Sequence, residues 1–122
     1  MSNNKINVNW FEIPVANLDR AARFYSTVLD TTLVPMEMPG IRMQAFPGPE
    51  NMTGALVESE HNKPAGTGTL VFLDAAGDIP AILARVGDAG GQVVLPKTPI
   101  GEFGHVGQFI DTEGNRIALH SH

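Results

Sequence analysis

The sequence predicts an α+β fold: two copies of a strand–helix–strand–strand–strand unit in one domain. The first observation is the closing stretch, Gly104 to His120. Phe109, Ile117 and Leu119 alternate onto one face, and Gln108, Arg116, Ala118 and His120 onto the other. Between them, Asp111-Thr112-Glu113-Gly114-Asn115 is turn chemistry, so this is a hairpin. The second is a pair of apolar stripes at helical spacing, each just after a short β-rich run. The third is internal repetition. Asn17, Leu18, Ala21, Ala22 and Leu33 match Asp78, Ile79, Ile82, Leu83 and Val94 at a constant offset of 61, half of the 122 residues.

Each element follows in order. Ile6 to Val15 reads as the first strand, with Phe11, Ile13 and Val15 on one face and Trp10, Glu12 and Pro14 on the other. Pro14 has no amide hydrogen, which places that end at a sheet edge or at the exit from the sheet. Asn17 is the expected N-cap of a helix. Its stripe is Ala21, Ala22, Phe24, Tyr25, Val28 and Leu29, and Asp19 in the first turn suits the helix dipole. Thr31–Met38, Ile41–Phe46 and Gly54–Ser59 are the next strands, separated by Pro39-Gly40 and Pro47-Gly48-Pro49. The polar stretch Glu60 to Gly68 is the linker between a module at 1–60 and a module at 67–122.

After the linker the order restarts. Thr69–Ala75 is a strand. Asp78 caps a helix with Ile79, Ile82, Leu83 and Val86 on one stripe, and Pro80 is tolerated in its first turn. Gly90-Gly91 ends it. Gln92–Leu95 is a strand, Pro96–Phe103 a long loop, and the hairpin closes the chain.

Composition narrows the partners. The net charge is −5 and no Lys/Arg cluster exists, so neither nucleic acid nor an anionic membrane surface is an expected partner. Without cysteine, disulfides, thiolate-zinc sites and thiol catalysis are excluded. Met1-Ser2-Asn3-Asn4-Lys5 leads into a strand with no signal-peptide core, and no apolar run reaches membrane-spanning length. The expected location is cytoplasmic. No Gly-x-Ser-x-Gly, phosphate-binding loop or His-Glu-x-x-His occurs.

Three segments together resemble the glyoxalase/bleomycin-resistance/extradiol-dioxygenase superfamily, the vicinal oxygen chelate fold. They are Phe11-Glu12-Ile13-Pro14-Val15-Ala16-Asn17-Leu18-Asp19-Arg20-Ala21 with Phe24-Tyr25, Ala89-Gly90-Gly91 with Pro96, and Asp111-Thr112-Glu113-Gly114-Asn115 with its strands. The resemblance implies two βαβββ modules whose curved mixed sheets surround a cavity, and a homodimer. It also implies a divalent metal held by His or Gln on the first strand and Glu on the last strand of each module. Here those positions fall on Trp10, on Leu70 or Val71, on Val57 or Glu58, and on Ala118. Indole and alkyl groups offer a metal no lone pair. No metal and no cofactor are therefore expected.

What remains is a cavity for a small-molecule ligand. Its expected lining is Trp10, Glu12, Phe72, Gln108, Arg116, Ala118 and His120, with Asp74 beside Phe72. The Met36, Met38, Met43 and Met52 side chains suit either a pocket wall or core filling. Glu12 and His105 are the candidate acid–base residues: Glu12 because burial in an apolar pocket raises a carboxyl pKa, His105 because it sits between Gly104 and Gly107 after the loop. Each has a plainer reading. Trp10 is packed, Glu12 is solvated, Arg116 pairs with a surface acid such as Glu113, His105 is a loop histidine, and His120 lies near a solvated terminus. The leading function is small-molecule binding without the metal. The alternative is a lyase or dioxygenase of the superfamily with a displaced site built from Glu12, Glu58, His105 or His120.

Overall fold

The structure is a computed structural model describing residues 5–122. The expectation about Met1–Asn4 lies outside the described residues. Two four-stranded mixed sheets each carry one helix. In chain order, β1 is Phe11–Pro14, α1 Leu18–Val28, β2 Val34–Met38, β3 Ile41–Pro47 and β4 Met52–Glu58. Then come β5 Val71–Asp74, α2 Ile79–Val86, β6 Gln92–Pro99, a 3-10 turn at Gly101–Phe103, β7 His105–Ile110 and β8 Arg116–Ser121.

The sheets have the same order, β1-β4-β3-β2 and β5-β8-β7-β6. In each, the first strand runs parallel to the fourth and the remaining pairs are antiparallel. The repeat seen in the sequence is thus a repeat of topology. Both caps form: Asn17 Oδ1 accepts from the Arg20 amide at 3.0 Å and Asp78 Oδ1 from the Ala81 amide at 3.3 Å.

Both helices cover one continuous core. Leu18, Phe24, Tyr25 and Val28 of α1 and Ile79, Ile82, Leu83 and Val86 of α2 bury against Ile13, Phe46, Leu56, Phe109, Ile117 and Leu119. Tyr25 is its centre, with ring centroids 5.0 Å from Phe24, 5.6 Å from Phe46 and 6.3 Å from Phe109. One side chain thereby touches its own helix and both sheets. Each such aromatic pair contributes about 0.5–1.5 kcal/mol beyond the area it buries. A second, smaller cluster lies on the opposite face of the first sheet, where Met43, Ala45, Ala55 and Val57 meet Trp10, Met36 and Ile41.

The strand boundaries differ most from the sequence reading in two places. Ile6 to Trp10 is not strand. β1 begins at Phe11, paired with Gly54, and among the described residues none before it is paired. Alternating Ile6 and Val8 are instead 94% and 79% exposed. β6 runs on to Pro99, where a loop was expected from Pro96. β6 is an edge strand whose register shifts at Val93/Leu95 and Leu95/Thr98, and both features tolerate proline. No described helix is long and apolar enough to cross a membrane.

Candidate functional site

The two modules are fastened by the turn between β7 and β8. Asp111 is buried and its carboxylate accepts from the Tyr25 hydroxyl at 2.6 Å, the Glu113 amide at 2.8 Å and the Asn115 amide at 2.9 Å. Asn115 Nδ2 donates to the Pro14 carbonyl at 2.7 Å, and its Oδ1 accepts from the Ala65 amide at 3.1 Å. Glu113 takes the amides of Ala16 and Asn17 at the start of α1, both at 2.9 Å, and Arg20 Nε at 2.7 Å. An anion at a helix N-terminus is favourable. Arg85 Nε adds a bond to the Val28 carbonyl at 2.9 Å.

The charges respond to this packing. Burial raises the Tyr25 phenol well above its ordinary range, and the Asp111 carboxylate raises it further, so it remains a donor. Burial also pushes Glu113 upward. The hydrogen bonds from Arg20, Asn17, Thr112 and Ala16 outweigh that and hold its carboxyl at about 2. The same pair raises Arg20. Glu113 is therefore committed to Arg20, which removes the plainer reading that paired it with Arg116; Arg116 Nη1 instead donates to Gln108 Oε1 at 3.1 Å.

Fastening the modules this way leaves the end strands β1 and β5 on either side of a cleft of about 720 Å³. Trp10, Glu12 and Pro14 form one wall. Leu70, Phe72 and Arg116 form the other, and linker residues Lys63 and Thr67 complete it. Trp10 Nε1 donates to Glu12 Oε2 at 3.3 Å, which fixes the indole relative to the carboxylate. Phe72 is 53% exposed.

The sequence-selected residues divide into groups. Trp10, Glu12, Phe72 and Arg116 line the cleft together. Gln108 does not line it but holds Arg116. Ala118 is buried between Phe72 and Gln108 in the sheet register. His120 is displaced toward the far end, where its Nε2 lies 2.7 Å from the Phe103 carbonyl and its ring 4.9 Å from His122. His105 opens β7 instead of sitting in a loop. By strand alternation it shares the face of Gly107 and Phe109, beneath α2, and so lies on the other side of the sheet from Gln108. Glu58 likewise serves α1, accepting from the Leu18 amide at 3.0 Å and pairing with Arg42 at 3.1 Å. Lys63 and Thr67 are cleft residues that the sequence reading did not select. A linker lysine carries no periodic signal that would have found it.

The structure also resolves the register of the metal positions. Val57 pairs with Pro14 on the open face, while Glu58 turns to the helix side. Val71 packs against the core with Leu73, so by strand alternation Leu70 shares the opposite face with Phe72. The positions are thus Trp10, Val57, Leu70 and Ala118, whose side chains have no donor for a cation. Among the described residues no three His, Asp or Glu side chains converge. This donor set does not fit a divalent metal.

Comparison with known proteins gives the wider context. No curated protein matches the sequence. Among solved structures, a glyoxylase/bleomycin resistance protein/dioxygenase domain from Frankia sp. EAN1pec superposes with a TM-score of 0.72 at 16% identity, covering 96% of this chain and 98% of that one. A glyoxalase-related enzyme from Fulvimarina pelagi gives 0.67 at 17% identity, covering 93% and 86%. A mutant glyoxalase I from Zea mays gives 0.67 at 19% identity over 91% of this chain but only 45% of the maize protein. At these identities the likeness is one of fold. A family model matches residues 7–119, nearly the whole chain, and this protein belongs to the Glyoxalase/Bleomycin resistance protein/Dioxygenase superfamily.

Proposed function

We propose that the protein binds a small organic molecule in the cleft between β1 and β5, without the metal site of its superfamily. One observation carries the reading: four side chains suited to a planar polar ligand line one cleft. Trp10 and Phe72 offer ring faces, and Glu12 and Arg116 offer opposite charges. A cleft with a few converging polar groups on apolar walls is the usual form of a ligand site. The displaced enzymatic site has no comparable support, because Glu58 and His105 belong to the helix side of their sheets. A cytoplasmic homodimer is part of the same proposal; exposed Ile100 and Phe103 are apolar surface that a second copy would cover.

Trp10 is the only tryptophan, so its emission reports the cleft directly. Titration with planar amphiphiles such as 2-naphthalenemethanol is expected to change its intensity saturably. Trp10→Ala is expected to weaken binding, followed by calorimetry, more than it lowers stability. Emission insensitive to acrylamide and to every compound, with a Trp10→Ala penalty of about 3–5 kcal/mol as in a core truncation, would make Trp10 a core plug and refute the proposal.

A further inference from the structure

We infer that the ligand of this cleft is a planar organic anion, its acidic group on Arg116 and its body against Trp10; this rests on the cleft being the binding site. The argument is one of charge. The chain carries a net charge of −5, yet the cleft is lined by two cations, Lys63 and Arg116, and one anion, Glu12. The cation excess is local. A second cleft of about 760 Å³ opens at the same junction and shares Phe11 and Phe72, but its charged lining is Asp30, Asp74, Asp78 and Arg85. The two openings therefore offer similar aromatic surface with opposite charge, and an anion has a reason to choose the first.

Arg116 is also a guanidinium with capacity to spare, and the one that lines this cleft. Arg20 is held by Glu113 and Arg42 by Glu58 and Asp19, while Arg85 lies among the aspartates of the second cleft and Arg23 lines neither. Among the described residues no carboxylate lies within ion-pair distance of Arg116; its partner is the neutral amide oxygen of Gln108. That bond uses one of five N–H groups and orients the planar fork without neutralising it. A fork held in this way suits bidentate capture of a carboxylate or a phosphate ester. Glu12, fixed by the Trp10 indole on the other wall, favours a hydroxyl or amine donor at the other end of the ligand and rejects a second anion there.

The experiment holds the ring system constant and varies the charge. Binding of 2-naphthoate, 2-naphthyl phosphate, 2-naphthalenemethanol and 2-naphthylmethylammonium is measured by calorimetry at low salt on the wild-type protein, Arg116→Gln and Lys63→Gln. The anions are expected to bind about fivefold more tightly than the neutral alcohol, a modest factor because Arg116 is exposed. The preference should shrink as salt is raised. Arg116→Gln should abolish most of it, weakening the anions more than the alcohol, and Lys63→Gln should reduce it less. The relative affinities of naphthoate and naphthyl phosphate identify the acidic group. Equal affinity for all four compounds, or an anion preference that survives Arg116→Gln, would overturn the inference while the cleft still stands as a site. Binding of none of them would overturn the cleft reading and the inference with it.

Discussion

Asn115→Ala is the sharpest test of how the two modules are joined. The side chain is buried and makes three hydrogen bonds: to the Pro14 carbonyl at 2.7 Å, to Asp111 Oδ2 at 3.1 Å and from the Ala65 amide at 3.1 Å. At a net value of about 1 kcal/mol each, their loss costs about 3 kcal/mol. The bond to the ionised Asp111 raises that figure. Water reaching the partly buried Pro14 and Ala65 sites lowers it, so about 2–4 kcal/mol is expected. With a urea slope of about 2 kcal/mol/M, the midpoint falls by about 1.5 M. Urea unfolding followed by circular dichroism measures this, with the exposed Asn62→Ala as a control expected to change stability by less than about 0.5 kcal/mol. Hydrogen exchange adds a local readout, because the Ala65 amide is held by the Asn115 side chain and should lose its protection. A penalty below about 1 kcal/mol with Ala65 still protected would show that Asn115 does not fasten the modules.

Three further outcomes follow from the same geometry. Glu113 has a depressed folded pKa of about 2, so its stabilising contribution is complete above the unfolded value near 4.5 and is lost as pH falls from there toward 2. Glu113→Gln should flatten stability in that window, and an unchanged acid-unfolding profile would disprove the assignment. Protein exposed to nickel, zinc, manganese or iron should retain less than about one equivalent after dialysis, since tight binding needs several converging donors. Stoichiometric metal measured by elemental analysis would reject the donor-set argument. Sedimentation at micromolar concentration should show a dimer, and a chain that stays monomeric when concentrated would contradict the proposed assembly.

The fold was legible because its signals are local and occur twice. Both N-caps, both helical stripes and the hairpin faces follow from residues within a turn or two of each other. The errors arose where local pattern meets tertiary constraint. Ile6, Val8 and Trp10 alternate as a strand should, but a strand exists only where a ladder forms, and the pairing of β1 with β4 begins at Phe11. Pro96 reads as a strand breaker, yet an edge strand with shifted register accommodates it. The turn at 111–115 was recognised as a turn. Its side chains reach Tyr25, Pro14, Ala16, Asn17, Arg20 and Ala65, and partners so distant in sequence leave no local trace.

The site was legible in part for a related reason. The alternation read in the sequence paired Trp10 with Glu12, and the two meet although Trp10 precedes the strand; it also separated Gln108 and Arg116 from the core. It could not tell which face-sharing residues border the gap between β1 and β5 and which lie farther along the sheet. Arg116 and His120 share a face of β8, yet only Arg116 lines the cleft, because it begins the strand and His120 nears its end. With Trp10, Val57, Leu70 and Ala118 at the metal-donor positions, selectivity in the proposed site would rest on other contacts. A cation fixes a ligand through short, directional bonds to its oxygens. In the proposed metal-free site, orientation would come from weaker contacts acting together: a ring face on Trp10, an acceptor at Glu12 and the fork of Arg116 held by Gln108. No single contact dominates in such a site. Removing one should shift preference among ligands more than it abolishes binding, which is the distinction that the charge-varied naphthyl series measures.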